Sequence, residues 1–414
     1  MSLKVGILSL GCPRNLVDSE SILGCLKAKG LEIVDIEKAD IAIVNTCAFI
    51  DDAKKESVDA ILELIEAKKE GRLKKIIVSG CLSQRYKEEL LRELPEVDAF
   101  VGKLFLDKNP ERFAITPKHF AYLKICEGCL NACSYCVIPK IKGKFSSLDE
   151  SSVVRKALEL DRQGVAEINI VGQDITGYGS DLHPNPGLTA LLKKIIKATG
   201  RVKWIRLLYL YPSRVDEQLL KLVRDEEKVC KYIDLPIQHI NDRILKLMNR
   251  KTSSSQIRRL VDKVRKTIPG VALRTSVITG FPSETEKEHR QLLAFIKEVK
   301  FERLGAFKYS REEGTKAYNL KGQVPEKVKE ERFGRIMRLQ QEISAEVNKK
   351  FLGKTLPVLI DSIEEGIYLG RTQFDAPEVD GKVYVSSKKA LKPGDLVNVA
   401  IKDTLEYDLV GELI

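Results

Sequence analysis

Nine cysteines are the residues of this chain best suited to chemistry, and three are closely spaced. Cys129, Cys133 and Cys136 form a C-x3-C-x2-C pattern within Glu127-Gly128-Cys129-Leu130-Asn131-Ala132-Cys133-Ser134-Tyr135-Cys136. Thiolate is a natural ligand for iron–sulfur clusters. Three thiolates can hold three irons of a [4Fe–4S] cube and leave the fourth iron open to a substrate or cofactor, a position that a pure electron carrier does not need. The competing reading is zinc. A structural zinc site takes four protein ligands, and here the fourth would have to be Cys126 or His119.

Cys12, Cys47 and Cys81 lie far apart along the chain, but each directly follows a β-rich run: Ile7-Leu8-Ser9-Leu10-Gly11-Cys12, Ile43-Val44-Asn45-Thr46-Cys47 and Ile77-Val78-Ser79-Gly80-Cys81. In an open parallel sheet the carboxyl ends of the strands share one edge, where ligands bind, and neighbouring strands are about 4.8 Å apart. Three thiolates can therefore converge there on a second cluster, with Gly11 and Gly80 allowing a close backbone turn. The alternative is three buried structural cysteines. Cys25 and Cys230 read as core residues, and Cys126 stands close to the first motif.

The elements that must position these groups fall into three segments, 1–110, 115–348 and 351–414. In the first, strand runs Val5–Leu10, Ile41–Asn45 and Lys75–Ser79 alternate with helical patterns Asn15–Lys29, Asp51–Lys69 and Gln84–Leu91, which implies an α/β domain with a parallel sheet. Phe105–His119, with Pro110 and Pro117, reads as a linker. In the second, Tyr122–Ile125, Glu167–Val171, Trp204–Leu210, Tyr232–Leu235, Ala272–Ile278 and Leu304–Tyr309 are strand candidates separated by helices, the pattern of an incomplete (β/α)6 TIM-like barrel. Glu326–Phe351 is a long charged helix pattern. The tail, with Leu356–Ile360, Gly381–Val385 and Leu396–Ile401 between turn signals, reads as a small antiparallel β-barrel.

With both cysteine trios and this order of elements in view, the chain resembles the radical S-adenosylmethionine superfamily, and along nearly its whole length the methylthiotransferase family. The segments that carry the likeness are Ser9-Leu10-Gly11-Cys12-Pro13-Arg14-Asn15-Leu16-Val17-Asp18-Ser19-Glu20, Thr46-Cys47-Ala48-Phe49-Ile50, Gly80-Cys81-Leu82-Ser83-Gln84-Arg85-Tyr86 and the run Gly370–Gly381. They are most similar to the branch that modifies an aspartate of the twelfth small-subunit ribosomal protein. The resemblance implies two [4Fe–4S] clusters and S-adenosylmethionine as cofactors, with a C-terminal TRAM barrel. It implies that the Cys129, Cys133, Cys136 cluster cleaves S-adenosylmethionine to a 5′-deoxyadenosyl radical that abstracts a substrate hydrogen. Sulfur would then come from the cluster of Cys12, Cys47 and Cys81, and methyl from a second S-adenosylmethionine. It also suggests cofactor contacts from Tyr135, Gly172, Gln173, Asp174, Gln238 and Thr279; each also reads as ordinary loop or strand-end structure. Ser283 and Tyr211 depart from the family pattern, where glycine and histidine are common. No general acid–base pair emerges.

The aspartate β-carbon offers acid–base side chains no easy handle, so a cofactor must supply the reactivity. Net charge is +11 over 414 residues, divided as −4 for residues 351–414 and +15 for the remainder. A basic body suits an anionic partner such as a ribonucleoprotein, or is simply a solvated surface. An acidic tail suits a basic ribosomal protein better than tRNA, whose binding rests on phosphate contacts. The alternatives are tRNA methylthiolation and, without catalysis, an iron–sulfur carrier. An external electron donor is implied. No apolar run approaches the length of a membrane span, and the expectation is a cytoplasmic protein.

Overall fold

The computed structural model describes residues 3–102 and 112–414, so residues 105–111 of the expected linker lie outside the described residues. The chain folds as two compact units. One holds Met1–Thr116, Glu127–Ser146 and Glu312–Thr315; the other holds Pro117–Cys126, Ser147–Arg311 and Lys316–Ile414.

The first unit is built on a parallel sheet of β1 (Lys4–Ser9), β2 (Glu32–Ile33), β3 (Ile41–Thr46), β4 (Lys75–Gly80) and β5 (Ala99–Val101), in the order β2-β1-β3-β4-β5. Its central strands are nearly continuous apolar runs, as expected where helices cover both faces. The helices are α1 (Pro13–Ala28), α2 (Asp51–Lys69) and α3 (Cys81–Glu93). The edge strands β2 and β5, two and three residues long, are too short to leave a readable alternation in the sequence. The core of Val44, Ala48, Ile61, Ile76, Val78 and Leu82 also receives Val137 and Ile141. These come from the cysteine-loop segment, whose one helix is α4 (Ile138–Lys142). The loop that follows the first barrel strand in sequence is thus anchored in the N-terminal unit.

The second unit opens with β6 (Phe120–Lys124); the short strands β7 (Cys126–Glu127) and β8 (Ser146–Ser147) flank the cysteine loop. The barrel then runs α5 (Glu150–Arg162), β9 (Glu167–Val171), α6 (Gly187–Ala198), β10 (Trp204–Leu207), α7 (Glu217–Asp225), β11 (Tyr232–Asp234), α8 (Asp242–Leu247), α9 (Ser254–Thr267), β12 (Ala272–Thr279), α10 (Glu286–Val299) and β13 (Arg303–Lys308). Side chains of Asp149, Asp216, Asn241, Ser253 and Thr285 cap the starts of α5, α7, α8, α9 and α10, each worth about 1 kcal/mol. The strands form two parallel sheets, β10-β9-β6 and β11-β12-β13, linked by the Ile205–Val229 bridge and the Leu210 N–H to Asp234 carbonyl bond of 3.0 Å. This is the incomplete six-stranded barrel. After α11 (Glu326–Asn348), strands β14 (Thr355–Glu364), β15 (Ile367–Thr372), β16 (Val383–Ser386), β17 (Leu396–Thr404) and β18 (Leu409–Leu413) close a small barrel in the order β14-β15-β16-β18-β17. Its pairings are antiparallel except β16 with β18.

The end of β15 and the segment leading from it to β16 reach the base of the large barrel and meet one side chain from each of its six strands. Tyr122 Oη donates to Glu378 (2.7 Å), Glu167 pairs with Arg371 (2.8 Å), and Arg206 donates to the Gln373 carbonyl (2.7 Å). From the other sheet, Tyr232 Oη donates to Asp380 (2.6 Å), Arg274 Nε to Asp380 (3.4 Å), and Arg303 Nε to Asp375 (2.8 Å). Five of these barrel side chains are almost wholly buried, and that of Arg274 is 14% exposed. Removing one partner of such an ion pair leaves a buried charge unmatched, at a cost of about 3–5 kcal/mol.

Candidate functional site

Cys12, Cys47 and Cys81 stand at the carboxyl ends of β1, β3 and β4, three strands adjacent in the sheet and in register at Ser9, Asn45 and Ser79. Cys12 is the residue before α1 and Cys81 the first residue of α3, so both sit at helix N-termini, where a thiolate is favoured. Glycine is required beside both. Gly11 has φ +89°, and a Cβ there would lie 2.6 Å from Cys47 Cβ and 2.9 Å from its Sγ; Gly80 has φ +92° and faces Asn45 Oδ1 and the Thr46 carbonyl.

A buried polar net holds these turns. Asn15 Nδ2 donates to the carbonyls of Leu10 (2.7 Å), Asn45 (3.1 Å) and Thr46 (3.2 Å), while Asn45 Nδ2 donates to the Asn15 carbonyl and to Ser19. Ser57 Oγ accepts the Cys47 N–H at 3.0 Å and donates to its carbonyl at 2.9 Å.

The three thiols sense one another. Burial pushes Cys81 up to about 12; Lys142 opposes this, while charge on Cys47 and Cys12 adds to it. Cys47 is raised by burial and by Cys12. Burial acts the same way on Cys12, but the Arg14 charge and the Asn15 and Arg14 amides outweigh it and bring that thiol below its ordinary range. Buried Lys142, held by Asp18 (3.3 Å) and Glu127 (3.4 Å), is a cation that sequence reading did not single out.

The second trio belongs to the same compact unit. Gly128 has φ +73°, and the Asn131 backbone and side-chain amides each lie 3.4 Å from Cys129 Sγ as donors. Such N–H···S contacts tune clusters through the surroundings of their ligands. Cys136 is pushed up to about 12, first by burial, with charge on Cys133 and Cys129 adding to it and Arg14 opposing. Arg14 thus acts on Cys12, Cys47 and Cys136 alike. Tyr135 is half-buried in this loop. Among the described residues, no three Cys, His, Asp or Glu side chains converge tightly enough for one metal ion. A cube of several irons requires wider spacing of its thiolates than a single ion does, so mutually sensing sulfurs on a shared sheet edge fit such a group. Cys126 joins neither trio: its sulfur packs against Gly172 and donates to the Asp174 carbonyl at 3.7 Å.

The other candidate contacts lie at the carboxyl ends of barrel strands, in the second unit. Gly172, Gln173 and Asp174 follow β9. Asp174 is buried, accepts the Thr176 N–H at 3.1 Å and pairs with Arg214. Arg214 in turn lies over the ring of Tyr211, 4.7 Å from its centroid, and Tyr211 Oη accepts the Lys251 N–H at 3.2 Å; the residue that departs from the family pattern is built into this support. Gln238, beyond β11, is half-buried and left-handed at φ +70°, a conformation that costs an L-residue roughly 1–2 kcal/mol and clusters at functional sites. Thr279 ends β12, fully buried, with Oγ1 3.3 Å from His289 Nδ1. Buried Glu284 ties this region together through His239 (3.3 Å), Arg332 (2.9 Å) and the Gly280 N–H. Ser283 has φ +63°, which explains why glycine is common at that position.

Three family models match the chain: "Uncharacterized protein family UPF0004" over residues 4–102, "Radical SAM superfamily" over 123–296 and "TRAM domain" over 352–414. Among solved structures, the radical S-adenosylmethionine methyltransferase TsrM from Kitasatospora setae shares the fold at TM-score 0.55 and 14% identity, covering 85% of this chain and 79% of that one. The cobalamin-dependent S-adenosylmethionine radical enzyme OxsB matches at TM-score 0.52 and 14% identity, over 82% of this chain and 56% of its own. Fold and matches define a radical S-adenosylmethionine enzyme of the methylthiotransferase class. Curated relatives named "Ribosomal protein uS12 methylthiotransferase RimO" are 48% identical in Thermoanaerobacter sp. (strain X514), over 99% of both chains, and 45% identical in Clostridioides difficile (strain 630), over 100% of this chain and 99% of that one. The chain belongs to the RimO family.

Proposed function

We propose that this chain methylthiolates the β-carbon of an aspartate in ribosomal protein uS12, working in the cytoplasm with an external electron donor. The observation that carries the reading is 48% identity to a uS12 methylthiotransferase over 99% of both chains. In support, Cys12, Cys47 and Cys81 share one edge of the sheet. Among the described residues, no helix is long and apolar enough to cross a membrane.

In this reading Cys12, Cys47 and Cys81 ligate one [4Fe–4S] cluster, and Cys129, Cys133 and Cys136 ligate another. Reduced iron–sulfur and S-adenosylmethionine, when bound, supply a carbon-centred radical together with the sulfur and methyl to be transferred. The chain's own residues hold and shield. Arg14 and Lys142 favour thiolate over thiol around the trios. Asn131 directs two N–H groups at Cys129. Cofactor contacts are assigned in this reading to Tyr135 in the cysteine loop and, in the second unit, to Gly172, Gln173, Asp174, Gln238 and Thr279. Arg214 holds Asp174 in place, and His289 holds Thr279 at the end of β12. The domains divide at 1–110, 115–348 and 351–414. Placing both cysteine trios on one chain makes sulfur delivery effectively intramolecular.

The test is anaerobic reconstitution, then incubation with S-adenosylmethionine, a reductant and either uS12 or unmodified tRNA. Mass spectrometry should find a methylthio group on one uS12 aspartate, alongside 5′-deoxyadenosine. A methylthio group on tRNA alone would overturn the substrate, and no 5′-deoxyadenosine with either would overturn the enzyme.

A further inference from the structure

The base of the large barrel and the turn that carries Asp174 are joined by an unbroken chain of bonds. Asp380, on the segment inserted from the small barrel, meets Arg274 Nε at 3.4 Å. Arg274 Nη1 donates to Asp234 Oδ1 at 3.2 Å. The other oxygen of Asp234 accepts the Tyr209 N–H at 2.9 Å, and the Tyr209 carbonyl accepts the Ile175 N–H at 3.2 Å. Ile175 follows Asp174, whose carboxylate caps the Ile175–Gly177 turn. The carboxylates of Asp234 and Asp380 are at most a few per cent exposed. Tyr209 is held left-handed at φ +64°, a conformation that persists only where its surroundings fix it.

We propose that Asp380, Arg274 and Asp234 are positioning residues through which the C-terminal barrel sets the Asp174 turn, so that the fit of the inserted segment governs the grip on the cofactor. The relay ends in backbone bonds that have no freedom to reorient independently, and its carboxylates lie where water does not screen them. Coupling of this kind needs a continuous physical network and a demonstration that its ends are energetically linked. The inference rests on Asp174 lying in the cofactor site.

The experiment measures S-adenosylmethionine affinity of the reconstituted full chain for the wild type, Asp380→Asn, Asp174→Asn and the double variant. Hydrogen exchange of the Tyr209 and Ile175 amides is followed in cofactor-free protein. Asp380→Asn should weaken binding by about 5-fold or more, the lower end of common coupling, and the double variant should bind no more weakly than the worse single one. Exchange at both amides should quicken while the amides of β3 and β4 stay unchanged. Asp234→Asn, broken one link further along, should behave alike, and serves if Asp380→Asn does not fold. Additive losses, or unchanged exchange at Tyr209 and Ile175, would overturn the relay. If Asp174→Asn leaves affinity unchanged, the cofactor reading of that turn fails instead, and the exchange result alone decides the relay.

Discussion

Arg14 lies two residues past Cys12, and its charge reaches Cys12, Cys47 and Cys136. The two groupings of cysteines were legible in the sequence, one from close spacing and one from three cysteines that each follow a strand run. Arg14, Asn15, Lys142 and Asn131 were not, because their roles come from burial and direction, which a sequence pattern does not encode. The imbalance among the thiols has a consequence in protein stripped of iron. Cys12 is brought below the ordinary thiol range while Cys81 and Cys136 are pushed up to about 12, and the thiolate is the reactive form. Iodoacetamide at neutral pH should therefore modify Cys12 ahead of Cys81 and Cys136, as read by peptide mass spectrometry over time; equal rates would contradict the electrostatic account.

At the scale of elements, the strand-then-cysteine pattern was readable because a parallel sheet places all carboxyl ends on one edge. The glycines that let the turns close were readable too, and the structure shows why they are needed. Gly11→Ala would force a Cβ to 2.6 Å from Cys47 Cβ at φ +89°. It should abolish iron binding at Cys12, Cys47 and Cys81 while the Cys129 trio keeps its iron, as measured by iron content and electron paramagnetic resonance. The left-handed residues Tyr209 and Gln238 could not be foreseen, since neither is a glycine, whereas the family's glycine at position 283 was a signal for Ser283. Nor could Glu284 be singled out among the carboxylates. Burial opposes its ionisation, but His239, His289 and Arg332 hold its pKa down to about 2 against an ordinary 4.5. A depressed carboxylate stabilises the fold above its unfolded pKa, and that contribution is lost as pH falls from about 4.5 towards 2, up to roughly 3 kcal/mol. Unfolding free energy should drop less steeply across that window in Glu284→Gln than in the wild type, and matching slopes would contradict the assignment.

For the whole molecule, the fold class and the order of its parts were legible, while the tail's net charge pointed to the same substrate as the relatives but carries little weight of its own. Of the eleven acidic side chains in residues 351–414, Asp361, Asp375, Glu378 and Asp380 engage the base of the large barrel, as does Arg371 among seven cations. The outward balance is nearly neutral, and the substrate reading rests on identity to the uS12 enzymes rather than on charge. The same contacts make the small barrel part of the larger one. Asp375→Ala would leave Arg303 buried without its carboxylate and should cost about 3–5 kcal/mol in chemical denaturation; a cost under about 1 kcal/mol would show that the inserted segment is dispensable. The central claim, two clusters on two separate thiolate trios, is tested most directly by counting iron in anaerobically reconstituted protein. The account predicts that Cys12, Cys47 and Cys81 changed together to alanine, or Cys129, Cys133 and Cys136 changed together, each leave half the wild-type iron in a folded chain. Zinc in place of iron, or full iron retained after either triple change, would contradict it.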